Sequence, residues 1–156
     1  MQSIAATALL LLVLSGQPWL AAQKVPHQAP ATTKLPDVFL ITLDTLRADH
    51  VECYGYKQIK TPALNRLATD GIRFDQAFSA SPITNTSHAS ILTGLLPSSH
   101  GVADFAIPLA RNAPTISEAL HERHYQTAAF ISAVILDSTS LAPGFDRGFD
   151  YYFNFP

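Results

Sequence analysis

A short polar stretch, SPITNTSHASILTG at residues 81–94, places several hydroxyl side chains and a histidine side by side. Thr84, Thr86 and Ser87 offer oxygens, and His88 follows at once. Such a run before a helix is typical of an N-cap, and Thr86 and Ser87 are the predicted caps. A hydroxyl at a helix N-terminus can also be a nucleophile when a base or a metal activates it. Thr84 is the candidate for that second role.

An acidic residue, Asp44, ends the apolar run DVFLITLD, which is predicted to be a central strand of a parallel sheet. Ligands of open α/β sheets bind beyond the carboxyl ends of the strands. The helix N-terminus near Thr84 favours an anion, whereas a carboxylate there would repel one unless it holds a cation. Asp44 and Thr84 together therefore indicate a metal-assisted site for a phosphate or sulfate ester.

Strand and helix patterns alternate along the chain on both sides of these residues. In order, the pattern predicts a strand over residues 37–44, a helix from the Thr61-Pro62 pair to Gly71, and a weak strand over 72–79. It then predicts a short helix ending at Gly94, a helix opened by the capping box of Thr115 and Glu118, and a strand over 126–136. This alternation predicts an α/β domain with a mainly parallel sheet flanked by helices.

Around Asp44 and Thr84 the sequence resembles the amino-terminal part of the sulfatase family, within the alkaline phosphatase superfamily. TNTSHASILTG lies over the family's C/S-x-P-S-R motif and the A-S-L-L-T-G that continues it. LPSSHGV resembles the Y-P-x-x-H-G-V that follows, and GFDRGFDYY is similar to a recurrent segment of sulfatase-like proteins. The resemblance spans residues 36–156. It implies an alkaline-phosphatase/sulfatase-like fold and a metal-dependent hydrolase of sulfate or phosphate esters.

Carried over position by position, the resemblance implies a role for three residues. Asp44 falls on the first metal-binding aspartate, and Thr84 falls on the nucleophile, which forms the covalent intermediate and is also a metal ligand. His88 falls on the motif's arginine, which supports the nucleophile in sulfatases, so Thr84 and His88 are the implied catalytic residues. The cofactor would be a divalent cation (Ca²⁺, Mg²⁺, Mn²⁺ or Zn²⁺), and the substrate a small-molecule or glycan ester.

This chain departs from the family's pattern at several positions. Thr45 stands where many sulfatases have a second aspartate, Thr86 replaces the motif's proline, and the family's Lys-x-His segment has no counterpart at residues 132–134. A threonine cannot be converted to formylglycine, and a threonyl ester must be hydrolysed or transferred at the central atom. The threonine therefore favours phosphate or phosphonate ester chemistry, while sulfate ester hydrolysis stays open.

Two readings without catalysis also stay open. One carboxylate and one hydroxyl are too few ligands for a tight divalent site, and the family's remaining metal ligands lie beyond residue 156. The abrupt ending FNFP is the pattern expected of an incomplete chain. The alternative is therefore a truncated, inactive sulfatase-like protein, or an exported module that binds anions at the Thr84 loop.

The remaining features bear on compartment and partners. An apolar run over residues 4–14, too short to span a bilayer, predicts a signal peptide over 1–22. A Pro-rich linker over 23–36 and an incomplete sulfatase-like domain over 37–156 follow. We therefore expect a periplasmic or extracellular protein with no stable membrane insertion beyond the signal segment. A net charge of -2 without a basic run argues against nucleic acid as a partner. The oligomeric state is left open by the sequence.

Overall fold

The computed structural model describes residues 35–154. The chain divides into two units with the boundary between Ile41 and Thr42, and every helix and strand of residues 35–154 belongs to the second unit. The predicted signal segment and nearly all of the predicted linker lie outside the described residues. Within residues 35–154, no helix has the length and apolar character needed to cross a bilayer.

The second unit combines short helices with a small parallel sheet. Its regular elements are α1 (Pro62–Asp70), α2 (Thr84–Thr93), α3 (Pro97–His100), α4 (Ile116–His121), β1 (Ala128–Phe130) and β2 (Tyr151–Phe153). Short 3-10 turns lie at Ala48–His50, Glu52–Tyr54 and Val134–Leu136. The strands β1 and β2 pair in parallel, with Ala128 opposite Tyr151 and Phe130 opposite Phe153. The pairing is parallel, as predicted, but β1 covers only three residues of the strand predicted over 126–136, and Val134–Leu136 form a 3-10 turn instead.

The helix ends follow local sequence signals, with one correction. Helix α1 has Pro62 at its first position and is followed by Gly71, as predicted. In α4 the Thr115 side chain and the Glu118 side chain form the predicted capping box. Helix α2, however, begins at Thr84 rather than at Thr86 or Ser87, because the extended backbone of Ile83 makes that residue the N-cap.

The prediction that Thr86 and Ser87 cap α2 was therefore wrong. Both lie inside the first turn, where their side chains cannot reach the N–H groups that a cap satisfies. The Thr86 hydroxyl is buried without a hydrogen-bond partner in the described structure. The Ser87 hydroxyl instead lies 2.9 Å from the hydroxyl of Ser79. The N-terminus of α2 thus has no side-chain cap.

The strands predicted over residues 37–44 and 72–79 do not form. Both segments are exposed, and neither forms hydrogen bonds with a neighbouring strand. Phe39 is 85% exposed and Phe78 is 89% exposed. A strand is defined by hydrogen bonds to a neighbouring strand, and in residues 35–154 β1 and β2 pair only with each other. Apolar, β-branched composition supplies the propensity for a strand but not its partner.

The core of the second unit lies against α2 and holds that helix in place. It is a cluster of Ala89, Val102, Leu109, Ala113, Leu136, Ala142 and Phe145. Phe145 is 1% exposed and is the largest fully buried side chain. Removal of this apolar surface from water is the main stabilising contribution to the position of α2. Ala89, in the middle of α2, is fully buried in the cluster, and Asn85 and Thr86 in the first turn are buried as well, whereas Thr84 is half-buried.

Candidate active site

Asp44 and Thr84 lie close together, although 40 positions separate them in the sequence. Oγ1 of Thr84 is 3.5 Å from Oδ1 of Asp44, a long hydrogen bond in which the hydroxyl donates. Asp44 is exposed and Thr84 is half-buried, so both side chains are accessible to a ligand. The sequence predicted that these two residues face each other, and the fold brings them together; their chemical roles stay a prediction.

The backbone next to Asp44 is strained. Thr45 has a φ of 57°, a left-handed conformation that β-branched residues rarely adopt. Its N–H donates to Oδ1 of Asp44 at 3.1 Å, so the same carboxylate oxygen receives hydrogen bonds from Thr45 and from Thr84. Strained residues of this kind concentrate at functional sites, where the surrounding structure maintains them.

The N-terminus of α2 points several N–H groups towards the position of Thr84. The first backbone hydrogen bond of the helix runs from Ser87 N–H to the Ile83 carbonyl. The N–H groups of the three residues before Ser87 therefore have no intrahelical partner. Together with the helix dipole, these donors favour an anion. A proline at position 86, as in the family's motif, would remove one of them, so Thr86 adds a donor.

His88 is held at both ring nitrogens. Its Nδ1 lies 2.9 Å from the Thr84 carbonyl oxygen, and its Nε2 lies 3.1 Å from Oγ1 of Thr42. The imidazole therefore connects the first turn of α2 with the segment that carries Asp44. Sequence reasoning selected His88 but missed Thr42, because a lone hydroxyl in an apolar run gives no periodic pattern that separates it from its neighbours.

Other polar residues near these motifs lie apart from the site. Asp49 forms an ion pair with Arg47, and the ring of His50 stacks on Tyr56 at 4.8 Å. Both are thus engaged in local contacts rather than with Asp44. His100, the last residue of α3, is fully buried.

The donors at the site suit a hard divalent cation but make only part of a binding site. Carboxylate and hydroxyl oxygens are the ligands such cations prefer. No Lys, Arg or His of residues 35–154 forms an ion pair with Asp44, so its charge is available to a cation. The same residues contain no group of three or more His, Cys, Asp or Glu side chains that could hold a metal. Since Ca²⁺ takes six to eight oxygens, these residues fit as two ligands of a larger set.

Three known proteins with sequences similar to this chain are all named as sulfatases. An N-acetylglucosamine-6-O-sulfatase of Bacteroides thetaiotaomicron is 33% identical over 96 residues, which cover 62% of this chain and 17% of that protein. An arylsulfatase of Clostridium perfringens is 42% identical over 66 residues, 42% of this chain and 14% of the relative. Mouse steryl-sulfatase is 38% identical over 78 residues, 50% of this chain and 12% of the relative. The chain thus matches less than a fifth of the length of these relatives.

No solved structure shows a significant match to this chain. A family model described as Sulfatase, however, matches residues 36–156. That range includes Asp44, Thr84 and His88 together with every helix and strand described above. The match confirms the resemblance noted in the sequence and the predicted alkaline-phosphatase/sulfatase-like α/β fold class. On the strength of a match over most of its length, the chain belongs to the sulfatase family.

Proposed function

We propose that this chain carries the nucleophile side of the active site of an exported, metal-dependent ester hydrolase in which Thr84 forms a covalent intermediate. The observation that carries the proposal is the placement of Thr84 Oγ1 at the uncapped N-terminus of α2, 3.5 Å from a carboxylate oxygen of Asp44. A nucleophile, an acidic group and a set of N–H donors then converge on one anionic ligand. Family membership supports the hydrolase class.

In the proposed reaction, Thr84 Oγ1 forms a bond to the phosphorus or sulfur of the ester while the bond to the alcohol oxygen breaks. The hydrogen of the Thr84 hydroxyl, which faces Asp44, ends on the departing alcohol. Water then attacks the threonyl ester at the same central atom. Its oxygen stays on the released phosphate or sulfate, and one of its hydrogens restores the Thr84 hydroxyl.

The other groups at the site have separate roles in this reaction. The N–H groups at the start of α2 stabilise negative charge on the transferring group. Asp44 and Thr84 would hold a divalent cation, Ca²⁺, Mg²⁺, Mn²⁺ or Zn²⁺, which when bound lowers the pKa of a coordinated hydroxyl and offsets charge on the ester. His88 orients the first turn of α2 through its bond to the Thr84 carbonyl.

The identity of the nucleophile favours a phosphate or phosphonate ester as substrate. Formylglycine can release sulfate by elimination through its second hydroxyl, whereas a threonyl ester has no such exit. The relatives are named for glycan, aryl and steryl sulfates, so sulfate ester hydrolysis is the second candidate. A small-molecule or glycan ester fits both. The same proposal includes export to the periplasm or the extracellular space. It also includes the division into a signal peptide over residues 1–22, a linker over 23–36 and an incomplete sulfatase-like domain over 37–156.

The test is hydrolysis of aryl phosphate, phosphonate and sulfate esters by the purified protein at its full natural length, with each of the four cations. We expect the Thr84→Ala variant to lose about 10⁶-fold in kcat, as removal of the nucleophile does in a covalent serine hydrolase. Mass spectrometry should find the added phosphoryl or sulfuryl group on the peptide that contains Thr84. Chelation should abolish turnover, and one of the cations should restore it.

A matched control is Thr69→Val, which removes an exposed hydroxyl that bonds only to a carbonyl of its own helix, that of Asn65. It should leave turnover unchanged. Turnover that survives Thr84→Ala would contradict the proposal. Tight binding of phosphate or sulfate without metal and without turnover would favour an anion-binding module, consistent with the uncapped N-terminus of α2.

A further inference from the structure

We propose that Thr42 is a positioning residue: its hydroxyl, acting through His88, fixes the segment that carries Asp44 against the helix turn that carries Thr84. The inference rests on the proposed function of Thr84 and Asp44. It starts from two distances, 3.1 Å between Thr42 Oγ1 and His88 Nε2, and 2.9 Å between His88 Nδ1 and the Thr84 carbonyl oxygen.

The two partners of His88 determine which nitrogen carries hydrogen. A carbonyl oxygen only accepts, so Nδ1 must be the donor to Thr84. In the neutral ring Nε2 then holds a lone pair, and the Thr42 hydroxyl donates to it. The order of donation therefore runs from Thr42 to His88 to the Thr84 carbonyl. An isolated neutral imidazole prefers its hydrogen on Nε2. A hydrogen on Nδ1 of His88 would therefore be a consequence of its contacts with Thr42 and the Thr84 carbonyl.

The hydrogen bond between Thr42 and His88 can affect the site because Thr42 is close to Asp44 in the chain. Thr42 precedes Asp44 by two residues, and His88 follows Thr84 by four, one helical turn along α2. Within the described residues, two side-chain hydrogen bonds join residues 42–45 to this turn, the one through His88 and the long bond between Thr84 and Asp44. The second is weak at 3.5 Å, so the spacing of carboxylate and nucleophile depends mainly on the first.

The main variant is Thr42→Val, which keeps the shape of the side chain and removes the hydroxyl. We expect kcat to fall about tenfold with KM nearly unchanged, since the loss is one hydrogen bond that aligns the reacting groups rather than one that binds substrate. Thr42→Ser keeps the hydroxyl and should restore kcat to within about threefold of the original. Thr69→Val serves as the control for loss of a threonine hydroxyl.

A second measurement does not depend on turnover. Long-range ¹H–¹⁵N spectra of histidine-labelled protein distinguish the two neutral tautomers, and the His88→Gln variant assigns the signal. In the unmodified protein and in Thr42→Ser, His88 should carry its hydrogen on Nδ1. In Thr42→Val, the signal should shift towards the form with hydrogen on Nε2.

The outcomes separate this inference from the proposed function. A His88 ring with its hydrogen on Nε2 in the unmodified protein would overturn the role of Thr42 even if Thr84-dependent hydrolysis is present. Equal spectra and equal kcat in Thr42→Val and in the unmodified protein would overturn it as well. If no ester is hydrolysed, the proposed catalysis fails, whereas the tautomer shift still supports the link from Thr42 to Thr84.

Discussion

At the scale of single residues, His100 differs from His88 in every contact. It is fully buried, its Nδ1 accepts the Val102 N–H at 3.1 Å, and its Nε2 lies 2.9 Å from Oγ of Ser90. Because Nδ1 accepts, the hydrogen is on Nε2, which donates to Ser90. Burial lowers the pKa of His100 below its usual value. The ring is therefore a neutral structural link between α2 and the turn that follows α3.

This environment predicts how stability depends on pH. Since the pKa of His100 is lower in the folded chain, the unfolded chain binds more protons as the pH falls through the ordinary histidine value. The stability that the neutral ring provides is present above that value and decreases below it. We expect His100→Gln to be about 2 kcal/mol less stable at neutral pH, because it disrupts two buried hydrogen bonds.

The informative comparison is the change between about pH 7.5 and about pH 5.5, which brackets the ordinary histidine pKa. Urea unfolding followed by circular dichroism should show a smaller loss of unfolding free energy in His100→Gln than in the unmodified protein. Subtracting the pH-dependent change in unfolding free energy of His100→Gln from that of the unmodified protein removes the contribution of the other titrating groups, which the two proteins share. An identical pH dependence in the two proteins would show that His100 is not the buried neutral group described here.

At the scale of elements, a glycine sets how closely the segment before β2 approaches α4. Gly148 has a φ of 76°, and a Cβ atom at this position would overlap the backbone of Ser117 and Glu118. The approach is stabilised by the Ser117 hydroxyl, which donates to the Arg147 carbonyl at 2.7 Å. Arg147 in turn donates to the carbonyl oxygens of Ala110 and Ala113. The GFDRGFDYY motif thus joins α4 to the sheet.

A pair of glycine variants separates backbone strain from steric overlap. Gly55 has a φ of 102° but no atom within 4 Å of where a Cβ would lie. Gly55→Ala should therefore cost about 1–2 kcal/mol, the strain of a left-handed conformation alone. Gly148→Ala should cost more than about 4 kcal/mol, because the two backbones must also separate. Thermal and urea unfolding of both variants measure these costs, and equal costs would show that α4 and Gly148 do not make this close contact.

The same scale shows which features could be predicted from the sequence. The limits of α1 and the capping box of α4 followed from signals within a few residues, such as Pro62 and the Thr115–Glu118 pair. The strands at residues 37–44 and 72–79 could not be predicted in this way, since a strand needs a distant partner. The meeting of Asp44 and Thr84 was expected both from the family motif and from a strand end at Asp44; the two residues do meet, although that strand does not form. Thr42 became visible only through its contact with His88.

At the scale of the whole molecule, much apolar surface is in contact with water. In the second unit, Ile72, Phe74 and Phe78 are 84%, 68% and 89% exposed. Phe130 of β1 is 76% exposed, although parallel sheets are normally covered on both faces. Exposed apolar area of this size in a soluble domain marks either an interaction surface or a tendency to aggregate.

We therefore expect the 156-residue chain, produced on its own, to bind the apolar dye ANS and to associate at micromolar concentrations. Replacing Ile72, Phe74 and Phe78 together by serine should lower dye fluorescence and light scattering without loss of helical signal, because these side chains contribute little to the core. Phe145→Ser is the contrasting variant: Phe145 is 1% exposed, so its loss should unfold the protein and raise dye binding. A monomeric chain that binds no dye would contradict the exposed positions of Ile72, Phe74 and Phe78. A triple variant that unfolds like Phe145→Ser would show instead that residues 72–78 pack into the core.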